Sequence, residues 1–165
     1  LATVDRLYEA ALSVGRLSQE VVARHRAGLG AVGAAGTATF ILGGQIAGSP
    51  ADILLVYPEG NYIRASDERP FLQIGESKYG RFMLELAVHA RAGIEVATKV
   101  ALSSMVSSAR ANLSVGPPYD IAVYRNDSLE LEEHRILDRS EYLEQLQDVW
   151  VRHMLDAVDQ LPPIP

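Results

Sequence analysis

From residue 4 to residue 27 apolar side chains return at Ala10, Val14, Leu17 and Val21, the spacing that lines one face of a helix. The pattern predicts an amphipathic helix from about Val4 to about Ala27 with Thr3 as its N-cap. Gly28, Gly30, Gly33 and Gly36 follow within nine residues and predict a break with a flexible surface connection. Thr37 to Leu42 then alternates in period two, and Asp52 to Tyr57 is more continuously apolar, so two antiparallel strands are predicted. Pro58-Glu59-Gly60-Asn61 carries turn chemistry and returns the chain through Tyr62 and Ile63, and Phe71 to Ile74 reads as a further short strand ending at Gly75.

The middle of the chain reverts to helical spacing. One helix is predicted from about Ser77, as N-cap, to His89, and a second from about Ile94 to Ala111 after a break at Gly93. In the second, Ala97, Ala101, Ser104 and Ser108 form a stripe of small residues that lets a neighbouring backbone approach closely. Tyr119 to Arg125 and Leu129 to Leu137, joined by Arg125-Asn126-Asp127-Ser128, read as a hairpin. Asp138 to Glu141 has capping-box spacing ahead of a last helix, with Asp138 as its cap and Tyr142, Leu146, Val149, Trp150, His153 and Met154 along it. On that face His153 reads as a packed core histidine. Pro162-Pro163 stops the helix. Strands and helices in blocks, rather than strict alternation, indicate an α+β class with antiparallel sheets covered by helices.

Composition narrows the functional classes. A chain of 165 residues with 48% hydrophobic content reads as one globular domain spanning 1–165. A net charge of −6 without a Lys/Arg cluster argues against a nucleic-acid partner. The absence of cysteine removes disulfides, thiolate metal sites and a Cys nucleophile, and fits a reducing compartment with a cytoplasmic address as the default. No apolar run is long enough to span a bilayer, so no membrane association is expected.

Little of the chain's chemistry fits a familiar motif. His25, His89, His134 and His153 are isolated from one another in sequence, so neither a metal site nor a cofactor is expected. Gly75-Glu76-Ser77-Lys78 lacks the upstream glycine and the Lys-Ser/Thr order of a phosphate-binding loop, since position 70 is Pro. Adjacent Ser77 and Lys78 also lack the S-x-x-K spacing that aligns a serine with a lysine base. Glu130, Glu132, Glu133 and His134 read as a solvated strand edge.

Three segments carry a resemblance: Thr39-Phe40-Ile41-Leu42-Gly43-Gly44-Gln45-Ile46, Phe71-Leu72-Gln73-Ile74-Gly75-Glu76-Ser77-Lys78-Tyr79-Gly80, and Asn112-Leu113-Ser114-Val115-Gly116-Pro117-Pro118. In order and spacing they resemble Anbu, the ancestral β-subunit family of bacterial proteasome-related proteins. The resemblance implies an N-terminal nucleophile hydrolase fold, an αββα four-layer sandwich of two antiparallel sheets between helix layers, here without its first strands. It implies a threonine-type peptidase acting on peptide or protein substrates and assembled as a ring-like or helical homo-oligomer. Such chemistry needs a threonine with a free α-amine. Leu1 cannot provide it and Thr3 stands two residues late, so the resemblance places the nucleophile upstream of Leu1 and no catalytic residue within this chain.

What the chain supplies, on this resemblance, is an active-site wall: Gly75, Glu76, Ser77, Asn112, Ser114 and Gly116. Ser114 matches the serine that helps orient the nucleophilic threonine. Glu76 and Ser77 stand where a Ser-Gly pair is usual, and Ala111 stands where an acidic residue is expected, with Asn112 as a partial substitute. Gly75 and Gly116 fit either an unusual backbone angle at a turn or an oxyanion or substrate contact. The alternatives are a non-catalytic assembly or scaffold protein on the same fold, and a small-molecule binding domain.

Overall fold

The structure, a computed structural model, describes residues 4–164. Among them the order is α1 (Leu7–Ala31), β1 (Phe40–Gly44), β2 (Asp52–Val56), β3 (Tyr62–Arg64), α2 (Arg81–Ala87), α3 (Ile94–Ala111), β4 (Tyr119–Tyr124), β5 (Leu131–Leu137) and α4 (Glu141–Asp159). Strands β1, β2 and β3 form one antiparallel sheet with β2 in the centre, and β4 with β5 forms a second, the expected α+β class. The chain makes two compact units. One consists of residues up to Gly75 together with Ala122–Glu133, the other of Glu76–Ile121 together with residues from His134 on.

In the first unit α1 covers the β1–β2–β3 sheet. Leu42 lies opposite Leu54 and Val56 opposite Tyr62, and these four share the face that packs with Ala11 and Leu7. Tyr8 stacks on Tyr62 with ring centroids 6.4 Å apart. The buried residues of the helix are Ala10, Ala11 and Gly15, whereas Leu17 and Val21 are about half exposed. Periodicity alone suggested a face through Val14, Leu17 and Val21. Small residues choose a different one, because Gly15 lies against the backbone of Gly60 where a larger residue has no room. Gln19 adds a 2.7 Å hydrogen bond from its amide to the Glu59 carbonyl.

The helix also starts later and ends later than its sequence suggests. It begins at Leu7, where the Glu9 carboxylate accepts from the N–H groups of Asp5 and Arg6 at 2.9 and 3.2 Å. Thr3 lies outside the described residues. The helix runs on through Gly28 and Gly30, since extending a formed helix adds a hydrogen bond per residue that offsets glycine's cost. The turn comes at Gly33, φ +66°, with Gly33 N–H bonding the Gly30 carbonyl and Ala34 N–H the Leu29 carbonyl, a Schellman closure. Phe71–Ile74 forms no strand: a strand needs a ladder partner, and none pairs with it among the described residues.

Within the first unit a single glutamine just past β1 holds the hairpin tip. The Gln45 carbonyl oxygen accepts from Tyr124 Oη at 2.8 Å and Asp127 N at 2.7 Å, while its Nε2 donates to Ser49 O and Asp127 Oδ1, both at 2.7 Å. All four hydrogen-bonding capacities of the amide are used.

In the second unit α3, α4 and the base of the β4–β5 hairpin enclose Leu102, Val106, Tyr119 and Leu143, with Ile121, Leu137 and Leu146 around them. Helix α3 matches the expected range, and its small-residue stripe is buried at Ser104 and Ser108. Helix α2 is shorter than the predicted Ser77–His89. Its N-cap is Gly80 rather than Ser77, and Val88 is already extended. At α4 the cap is Ser140, whose hydroxyl accepts from Leu143 N at 3.5 Å, instead of Asp138, whose carboxylate accepts from Arg139 N at 2.7 Å. His153 is not a core residue: its side chain is 74% exposed.

The two glycine environments of α1 predict opposite effects of the same change. Gly15→Ala sets a Cβ 2.6 Å from the Gly60 carbonyl oxygen, so an overpacking loss of about 1–3 kcal/mol outweighs the gain in helix propensity. Gly28→Ala meets open space and stabilises by about 0.5–1 kcal/mol. Urea denaturation of the two variants measures both signs.

Candidate functional site

The residues singled out in sequence lie on two turns that α3 brings together. The turn Glu76 to Gly80 approaches α3 where the buried Ser104 hydroxyl donates to the Gly80 carbonyl at 3.0 Å, and Ser108 Oγ donates to the Ser104 carbonyl at 2.9 Å. Gly80 is required at this contact, since a Cβ there would collide with the Ser104 hydroxyl. Two turns further along α3 the helix ends at Asn112.

At that end Glu76, Asn112 and Ser114 form one connected chain. Asn112 Nδ2 donates to Glu76 Oε2 at 2.9 Å. Asn112 Oδ1 in turn accepts from Ser114 Oγ at 2.7 Å and from Ser114 N at 2.9 Å. The other Glu76 oxygen accepts from the Lys78 N–H at 2.8 Å, closing a two-residue loop. With Nδ2 committed to a carboxylate and Oδ1 to two donors, the amide of Asn112 has one orientation.

Glu76 is the hub that sequence reasoning treated only as a departure. The acidic residue expected three positions before Ser114 is Ala111, yet a carboxylate still reaches this loop, delivered by Glu76 through Asn112. The available signal was the pairing itself: an extra acid in one loop and a missing acid in the other. The Lys78 N–H holds the Glu76 carboxyl below the usual glutamate range, with the Asn112 hydrogen bond and the Lys78 charge acting the same way against a smaller effect of burial. Glu76 is therefore ionised throughout the neutral range.

The other candidates behave differently from one another. Gly75 has φ +78°, the left-handed region that favours glycine, and so turns the chain into Glu76. Gly116 has no such angle, and a Cβ there would meet open space. The Ser77 carbonyl accepts from the Arg81 N–H at 3.2 Å. None of the six candidates lines the largest cleft described, about 830 Å³ in the first unit. Of the charged residues lining that cleft, Arg64 and Asp52 pair with one another at 2.6 Å. No group of three or more His, Asp or Glu side chains is placed to hold a metal ion among the described residues.

Solved structures similar to this chain share its fold over nearly its whole length. Anbu (ancestral beta-subunit) from Yersinia bercovieri superposes with a TM-score of 0.90 at 32% identity, covering 100% of this chain and 68% of that one. A Gly-1 mutant of Anbu from Hyphomicrobium sp. strain MC1 gives 0.89 at 34% identity, covering 100% and 67%. The helical assembly of the Anbu complex from Pseudomonas aeruginosa gives 0.91 at 38% identity, covering 99% and 68%. No family model and no curated protein matches the chain.

The lowered Glu76 pKa carries a sign for stability. A carboxylate whose folded pKa is depressed contributes stability that is present above its unfolded pKa and is lost as pH falls through the folded value. Glu76→Gln abolishes that contribution, so denaturant midpoints of the wild type and the variant should differ at neutral pH and converge in acid. Carboxyl NMR titration of Glu76 should give a midpoint below the usual glutamate range.

Proposed function

This chain belongs to the Anbu (ancestral beta-subunit) family, and from that premise we propose that it is part of a proteasome-related, threonine-type peptidase subunit that hydrolyses peptide bonds within a homo-oligomer. The observation that carries the reading is the chain Glu76–Asn112–Ser114. Ser114 spends its hydroxyl hydrogen on Asn112, which leaves its oxygen lone pairs to accept from an amine N–H. A threonine α-amine is such a donor, and the loop holding Ser114 is the one that matches the threonine-orienting loop of proteasomes.

The reading places the nucleophile on the part of the family's length that this chain does not span, about a third of the solved relatives. The threonine hydroxyl attacks the peptide carbonyl carbon, and its proton passes to the α-amine. The departing amide nitrogen recovers that proton as the C–N bond breaks. Water then attacks the ester carbonyl, again through the α-amine, and frees the threonine. In this scheme Ser114 is a positioning residue, and the Glu76 charge keeps Asn112 turned to receive the Ser114 hydrogen. Gly75, Ser77 and Gly116 line the wall beside a bound peptide.

Self-association extends from the relative solved as a helical assembly to a ring-like or helical homo-oligomer of this chain. The apolar Val149, Met154, Leu155 and Val158 left exposed on α4 support it. None of the described helices is long and apolar enough to cross a membrane, and the reading places the protein in the cytoplasm. A second reading, a non-catalytic scaffold on the same fold, is favoured by a carboxylate at position 76 where a Ser-Gly pair is usual.

The two readings part in one experiment on the protein carrying its family-length N-terminal segment. On the peptidase reading a threonine-directed electrophile adds to one N-terminal threonine by intact mass. Ser114→Ala then lowers kcat on a fluorogenic peptide by about tenfold or more, with KM little changed. An assembled protein that neither takes the label nor cleaves peptides is the scaffold.

A further inference from the structure

A smaller cleft of about 230 Å³ lies in the second unit, between the last turns of α3, the start of β4 and the first turns of α4. Arg110 and Arg139 both line it, and neither guanidinium has a hydrogen-bond or ion-pair partner among the described residues. Tyr119 lines it too. The tyrosine is 3% exposed, its ring packs with Leu102, Val106 and Leu143, and its hydroxyl has no hydrogen-bond partner among the described residues. A hydroxyl in that state keeps its donor free for whatever enters the cleft. Burial pushes the phenol above its ordinary value, so it is a neutral donor across the neutral range.

The remaining polar groups of the cleft set its sign. Glu144 contributes one negative charge against two guanidiniums, Gln147 adds a neutral amide, and Ser140 is engaged with Leu143 N. The balance is one positive charge, with Arg110, Arg139 and Tyr119 lining a space too small for a drug-sized molecule. Guanidinium groups bind planar or tetrahedral oxyanions through paired N–H bonds, which a single point charge cannot do. None of Glu76, Asn112 and Ser114 lines the cleft.

We propose that this cleft binds a small oxyanion, a carboxylate or phosphate group, between the Arg110 and Arg139 guanidiniums and the Tyr119 hydroxyl. Titrating the chain with inorganic phosphate and, separately, with acetate at constant ionic strength tests it, read by thermal shift and calorimetry with chloride as the reference. Saturable binding of either anion, absent with chloride, is expected. Arg110→Gln and Arg139→Gln should each weaken it by about tenfold, the loss of a charge-assisted hydrogen bond, and Tyr119→Phe by less. A response to phosphate alone assigns a phosphate ligand, and one to acetate alone a carboxylate. Both arginines are exposed, so their variants report on binding even where Tyr119→Phe disturbs the core. Failure of both anions to saturate, or saturation unchanged in the double arginine variant, overturns the proposal.

Discussion

The hydrogen bond from the buried Ser104 hydroxyl to the Gly80 carbonyl determines where the 76–80 turn crosses α3, and the candidate site follows from that crossing. From Ser104 to Asn112 the helix rises about 12 Å. Four residues of chain from Gly80 back to Glu76 reach at most about 14 Å. The two paths end together only because Gly80 has no side chain to hold the turn away from the helix. A larger residue there would lift the turn, and Glu76 would no longer reach Asn112.

What results is a carboxylate acting through an amide. A direct acid–serine contact would need the acid on the same loop, where this chain has Ala111. Routing the charge through Asn112 keeps the same polarity at Ser114 while taking the acid from another turn. The amide cannot rotate without breaking a bond to a charged acceptor and two bonds from Ser114. Such an arrangement favours one orientation of the serine before anything binds. The first unit uses the same device at Gln45, whose saturated amide holds the hairpin tip.

Much of this was legible in the residue pattern. The antiparallel pairing of β1 with β2, the return through Tyr62, the full length of α3 and the hairpin were all marked by periodicity and turn residues. The errors have particular causes. The face of α1 depended on a partner elsewhere in the chain, while the start of α2 and the cap of α4 turned on the geometry of a few neighbouring residues. Leu17 and Val21 have the right spacing for a core face, but only Gly15 fits against Gly60. Ser77 has the right chemistry for a cap, but residues 78 to 80 form a turn and the helix begins only at Arg81.

The sequence by itself determined the α+β class and most of the element types, because these follow from local periodicity and turn propensity. The resemblance carried in Gly75–Gly80 and Asn112–Pro118 belongs with them, since it depends on residue order alone. Only the tertiary structure decided that Glu76 reaches Ser114 through Asn112, and that Arg110, Arg139 and Tyr119 share one cleft. These are distances between residues far apart along the chain, and they are set by how closely small side chains let the backbone segments approach.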